Sequence, residues 1–174
     1  MGVMVAKTKN YVALGWRPSD SDVACQKFPF EVKAPNNKDL HPMDCTDLVI
    51  GMARGSLSRI GDYYTRDRST PQRDEFYGGK SDLLGALGYE EDGSTTIVFV
   101  RDVQGTGRSD QEFDGDLHVI WAHGQEGDPF YVDDELKYHG GNRGHIPQLR
   151  FVSSGRAIAF SIVTVSIMAA LAIF

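Results

Sequence analysis

The sequence has only two cysteines and two tryptophans, and no basic run interrupts a net charge of −6. Outside the last eighteen residues no stretch carries the apolar spacing of an amphipathic helix. Each shortage excludes something. Without a concentrated basic face the chain has no footing on a nucleic-acid backbone, so no nucleic-acid partner is expected. Two cysteines without a second Cys/His pair at ligand spacing do not make a zinc centre, and no metal site is expected. There is no Gly-x-Ser-x-Gly elbow, no His-Glu-x-x-His and no phosphate-cradling glycine loop, so the chain reads as a non-enzyme with no catalytic residues. The opening "MGVMVAKTKNYVALGW" has no charged n-region followed by an apolar core, so it is not a signal peptide. It starts abruptly in strand-forming sequence, and a domain lacking its first strand or strands is expected.

What is present points to β-structure. Short apolar runs are separated by Asp, Asn, Pro and many of the 19 glycines. Strands are expected at 3–7, 11–16, 47–53, 56–65, 82–91, 94–103, 116–124 and 146–152. Arg54-Gly55 and Asp92-Gly93 are turn signals within two hairpins. Residues 17–44 read as loop, broken by Pro18, Pro29, Pro35 and Pro42. The expectation is an all-β fold, an antiparallel Ig-like β-sandwich over residues 1–152.

After Arg156 the chain reads "AIAFSIVTVSIMAALAIF". As a helix, eighteen residues at about 1.5 Å each reach roughly 27 Å, enough for a hydrocarbon core. Residues 157–174 are therefore expected to form a C-terminal hydrophobic helix, a transmembrane or anchor-signal segment. The membrane is then a partner, and the domain faces the extracellular or luminal side. Ser153, Ser154 and Gly155 offer small residues for lipid attachment, although the usual polar spacer is missing.

Cys25 and Cys45 flank a polar, Pro-containing segment. In a reducing compartment they are two thiols. Outside the cytosol a bridge is expected, stabilising the fold by about 3 kcal/mol through lost unfolded-chain entropy. Asp62, Asp67, Asp74 and Glu75, mixed with Arg66, Arg68 and Arg73, read as an exposed, self-neutralising loop. His118 and His123, five apart in one strand, face opposite sides of the sheet. His139 and His145 lie in the glycine-rich "YHGGNRGH", where Asn142 and Arg143 suit an anion or a sugar hydroxyl. Met43, beside Pro42 at the mouth of a strand, has two readings. It fills an irregular gap, or, with a distant loop His, it supplies the thioether and imidazole of six-coordinate haem b.

The strings "YVALGW", "DLVIGMARG", "DYYTRDRSTP" and "LHVIWAHGQ", in that order, resemble DOMON domains. "HPMDCTDLVIGMARG", "YGGK" and "LKYHGGNRG" extend the likeness to the animal Knickkopf and Skeletor group, over about Val3 to Phe151. The resemblance implies an extracellular β-sandwich. In the cytochrome-like branch a Met precedes the strand matching "DLVIGMA" and a His follows the strand matching "LHVIWAHGQ". Those positions fall on Met43 and His139, the candidate axial ligands of haem b. The cuticle-associated branch, which this chain follows more closely, implies carbohydrate or matrix binding. There Trp121, Tyr138, Asn142 and Arg143 are the ligand-binding candidates, and Trp121, Phe130 and Tyr138 offer a wall for haem or a stacking face for a sugar. Met43 and His139 are expected to meet at one end of the sandwich. The neighbours of His139 are Gly140, Gly141, Asn142 and Arg143, which favour a polar ligand. The reading is a membrane-anchored ligand-binding or interaction module at the cell surface, with a matrix polysaccharide or extracellular protein as partner. The alternative is an electron-carrying haem domain.

Overall fold

Asp92 and Gly93 both have positive φ, 50° and 74°. That pair of left-handed residues is what a two-residue type I′ hairpin needs, and Asp-Gly supplies it at low cost. The structure, a computed structural model, describes residues 1–28, 39–126, 136–151 and 163–167. Its strands are β1 (Gly2–Ala6), β2 (Val12–Pro18), β3 (Thr46–Arg54), β4 (Leu57–Thr65) and β5 (Gln72–Arg73). They continue with β6 (Leu83–Glu91), β7 (Ser94–Arg101), β8 (Gly115–His123), β9 (Arg143–Phe151) and β10 (Val163–Ile167). The Asp-Gly turn joins β6 to β7, and Gly55 with Ser56 joins β3 to β4. Short 3-10 turns cover Val23–Lys27 and Asp74–Tyr77.

Two sheets result, one in the order β10-β1-β7-β6 and the other β5-β4-β3-β2-β8-β9. Every pairing is antiparallel except β1 with β10. The architecture is all-β and that of a β-sandwich. Alternation along the strands places the core. Val12, Leu14 and Trp16 of β2, Val49 of β3, and Leu117 and Val119 of β8 pack against Met4 and Ala6 of β1 and Ile97 and Phe99 of β7. The opposite face of the six-stranded sheet is also apolar: Tyr11 beside β2, Ala13, Leu48, Ile50, Met52, Tyr63 and Ile120, with Met43 and Leu136 packed over it. β3 is thus buried on both faces, which is why "DLVIGMA" reads as a continuous apolar run.

Two expectations are adjusted. β9 starts at Arg143, so Arg143 and His145 belong to a strand rather than to a glycine-rich loop. Its Pro147 is tolerated because β9 is an edge strand and its register against β8 slips between Leu117 and Val119. The apolar tail is not seen as a helix: Val163–Ile167 runs as β10 beside β1, and the rest of 157–174 lies outside the described residues. Among the described residues no helix is long and apolar enough to cross a membrane.

Candidate functional site

The apolar outer face of the six-stranded sheet floors a cavity of about 400 Å³. β2 contributes Ala13 and Gly15, β3 contributes Leu48 and Ile50, and β8 contributes Ile120 and Ala122. Gly15 keeps this floor flat, since a Cβ there would stand 2.7 Å from the Thr46 methyl and 3.0 Å from Ile120. The walls are the turn with His41, Pro42 and Met43, the segment Arg68 to Pro71, the segment Leu136 to His139, and Arg143 to His145 of β9.

The turn that carries Met43 is held from several sides. A guanidinium nitrogen of Arg17 donates to the carbonyls of Pro42 (2.8 Å) and Asp44 (3.1 Å). The Asp44 carboxylate accepts from Gln26 Nε2 (2.8 Å) and from the His41 N–H (2.7 Å). Thr46 Oγ1 donates toward the same two carbonyls as Arg17. Cys45, at φ 56°, is bridged to Cys25 with their Cα atoms 5.9 Å apart. The expected disulfide is present, and it ties the 3-10 turn Val23–Lys27 to the cavity wall.

His139 sits on the facing wall. Its carbonyl accepts from the Asn142 N–H at 3.1 Å, a tight turn with Gly140 at φ 62°. Upstream, Tyr11 Oη donates to the Lys137 carbonyl (3.0 Å) and Gln125 to that of Tyr138 (2.8 Å). The His139 Nδ1 lies 3.0 Å from the Gly140 carbonyl. Burial, with Arg143 adding to it, holds this imidazole below its ordinary pKa, so it is neutral near pH 7. An Nδ1–H donated to Gly140 leaves Nε2 with its lone pair, the arrangement of an imidazole ready to ligate.

Met43 and His139 therefore line one cavity, together with Trp121, Tyr138 and Arg143. They meet on an outer sheet face, not at an end of the sandwich, because the apolar residues that both walls cover lie on that face. The Trp121 ring lies over Gly144, where a Cβ would be 2.6 Å from Cζ2. Tyr138, 66 % exposed, accepts from Arg143 at its hydroxyl (2.8 Å) on the cavity rim. Asn142 is not part of the lining; its carbonyl accepts from the His123 N–H at 3.0 Å. Phe130 lies outside the described residues.

His145, which the sequence places in the same glycine-rich stretch as His139, lines the same cavity, and so do His41 and Arg68, which are not among the residues that the sequence marks out for binding. For His41 the available signal is its place two residues before Met43, whose N–H reaches His41 Nδ1 at 3.3 Å. The acidic loop also needs correction. Asp62 and Asp74 are 1 % and 0 % exposed, turned inward between the sheets rather than solvated.

These features define a β-sandwich domain with an apolar-floored cavity on one outer face. A family model described as DOMON domain matches residues 37–124, just over half of the 174 residues. The chain belongs to the DOMON family, whose members are extracellular interaction or haem-binding modules. No curated protein and no solved structure matches it, and no homologue supports the finer likeness to Knickkopf and Skeletor.

Proposed function

We propose that the domain is an extracytoplasmic binding module whose cavity takes a flat, largely apolar ligand with anionic groups, and that haem b is that ligand. The observation carrying this reading is that Met43 and His139 line the same apolar-floored cavity. The polar neighbours of His139 in sequence suggest a polar ligand, but the floor beneath it is Ala13, Leu48, Ile50 and Ile120. Met43 would supply the thioether and His139 the neutral imidazole, both on walls already pinned by hydrogen bonds. Arg68, Lys137 and Arg143, also in the lining, suit carboxylates at the edge of such a ligand. When bound, haem so ligated supplies one-electron chemistry. The protein's part is to orient the two ligands, exclude water over the apolar floor and hold His139 neutral. Attachment to a membrane through the hydrophobic segment 157–174 would require Val163–Ile167 to leave its pairing with β1, and the cavity would then be presented at a cell surface.

A haemin titration of the full chain tests this, beside Met43→Ala and His139→Ala. A low-spin Soret band lost in both variants is expected. Its absence from the wild type overturns the haem reading.

A second reading has its own support. Tyr138 is exposed on the cavity rim and fixed there by Arg143. An exposed aromatic face beside a guanidinium suits a sugar ring of a matrix polysaccharide. Retention on a chitin-type matrix, lost in Tyr138→Ala, with no haemin spectrum would favour it.

A further inference from the structure

On the other side of the six-stranded sheet, between the two layers, lies a group of carboxylates that the cavity does not use. Asp47 of β3, Asp62 of β4, Asp74, Asp82 and Asp110 are all buried, each at most 8 % exposed. Among the described residues Arg101 of β7 is the cation paired with them, joined to Asp47 at 2.9 Å and to Asp82 at 2.7 Å. Five buried carboxyl groups against one guanidinium would, if all were ionised, leave a large uncompensated negative charge, and burying unpaired charge is among the most costly arrangements in a protein.

The oxygens are also incompletely used. One carboxylate oxygen from each of Asp62, Asp82 and Asp110 lies within 4.8 Å of the other two. The Oδ1 atoms of all three find no hydrogen-bond partner among the described residues, and neither do those of Asp47 and Asp74. The surrounding backbone and a hydroxyl hold the carboxylates in place. The Asp82 N–H donates to Asp62 Oδ2 (2.9 Å), the Thr106 N–H to Asp110 Oδ2 (3.0 Å), and Ser109 Oγ to Asp74 Oδ2 (2.8 Å).

We propose that Asp62, Asp82 and Asp110 form a calcium site between the sheets, which draws the segments bearing Asp82 and Asp110 onto β4. The donors are all hard oxygens, with no thiolate or imidazole among them, which selects calcium over zinc or copper. Their separation does not exceed twice a Ca–O distance of about 2.4 Å, and calcium accepts irregular oxygen sets that magnesium does not. The free Oδ1 atoms of Asp47 and Asp74 extend the negative field around the site. No sequence motif announces it, because the ligands are scattered along the chain without a fixed spacing.

Shared protons are the competing way to remove this charge. Burial and neighbouring carboxylates push Asp62 up to about 7 and Asp74 up to about 8. A bound calcium ion and a shared proton are therefore alternatives, and the solution response to calcium separates them.

The test is terbium luminescence on the full chain at neutral pH. Trp16 is excited, its ring 4.7 Å from the Arg101 guanidinium that bridges Asp47 and Asp82. Saturable emission at one terbium per chain, displaced by calcium, is expected, together with a Tm several degrees higher in calcium than in EDTA. Asp110→Asn, on a loop and the milder change, should weaken calcium displacement by roughly tenfold or more, with near-UV circular dichroism confirming that it folds. The proposal is overturned if the folded wild type gives no sensitised emission and the same Tm in calcium and EDTA. Emission of undiminished affinity in folded Asp110→Asn overturns it equally, because the ion is then bound elsewhere.

Discussion

The guanidinium of Arg101 stands 4.7 Å over the ring of Trp16 while it joins Asp47 and Asp82. One side chain thus links the inter-sheet core to the buried carboxylates. Arg101→Met keeps most of the volume and removes the charge. Leaving Asp47 and Asp82 buried without their partner is expected to cost roughly 3–5 kcal/mol. Urea denaturation checks this, and a loss below about 1 kcal/mol would show that the pair contributes little.

The Cys25–Cys45 bridge closes a loop across a sequence separation of 20 residues. Replacing both cysteines by serine is expected to cost about 3 kcal/mol. Because Cys45 follows the turn that carries Met43, the same double variant should bind the cavity ligand more weakly. Calorimetry reads the first effect and ligand titration the second. Unchanged affinity would mean that the hydrogen bonds from Arg17 and Asp44 hold the turn without the bridge.

Gly144 is the bare surface on which Trp121 rests. A Cβ there meets the indole at 2.6–2.8 Å, so Gly144→Ala must displace the ring. The expected cost is about 1–3 kcal/mol, with a shift in tryptophan emission and altered ligand binding. A variant with wild-type emission would show that the wall does not depend on this contact.

His118 is buried, and desolvation, with Arg17 and His145 acting in the same direction, lowers its pKa to about 4 from 6.5. Above pH 6.5 the group is neutral in both folded and unfolded chains and costs nothing. As the pH falls from 6.5 toward 4, the unfolded chain takes up a proton that the folded chain resists, so stability is lost across that window. The wild type should lose roughly 2 kcal/mol more than His118→Asn between about pH 7 and pH 4. Asp62 and Asp74 act in the opposite direction but are present in both proteins. Parallel stability profiles would remove His118 as a contributor.

Much of the fold was legible because strand periodicity and turn chemistry are local. Asp92-Gly93 announces its hairpin, and the double-sided burial of β3 is written in "DLVIGMA". The cavity was legible only in part. Met43 and His139 stood out through family resemblance, but the apolar floor beneath them comes from alternate residues of three strands, and pairing order is not a local property. Asp62 and Asp74 were misplaced for the opposite reason. Their neighbours Arg66, Arg68 and Arg73 made the stretch look solvated, whereas strand alternation turns Asp62 inward and the 3-10 turn buries Asp74.

β2 pairs with β3 on one side and with β8 on the other, Gly15 facing Leu48 and Ile120. The floor of the cavity therefore exists only once distant parts of the chain have been brought together. Closing such long loops is slow compared with forming the β3–β4 and β6–β7 hairpins. During synthesis, the hairpins can form while the binding surface is still missing, and a ligand enters last, onto a sheet already assembled. Stopped-flow refolding with ligand present should show capture trailing strand formation, at a rate independent of ligand concentration. A fragment cut at residues 37 and 124 lacks β2 and should never acquire the floor at all.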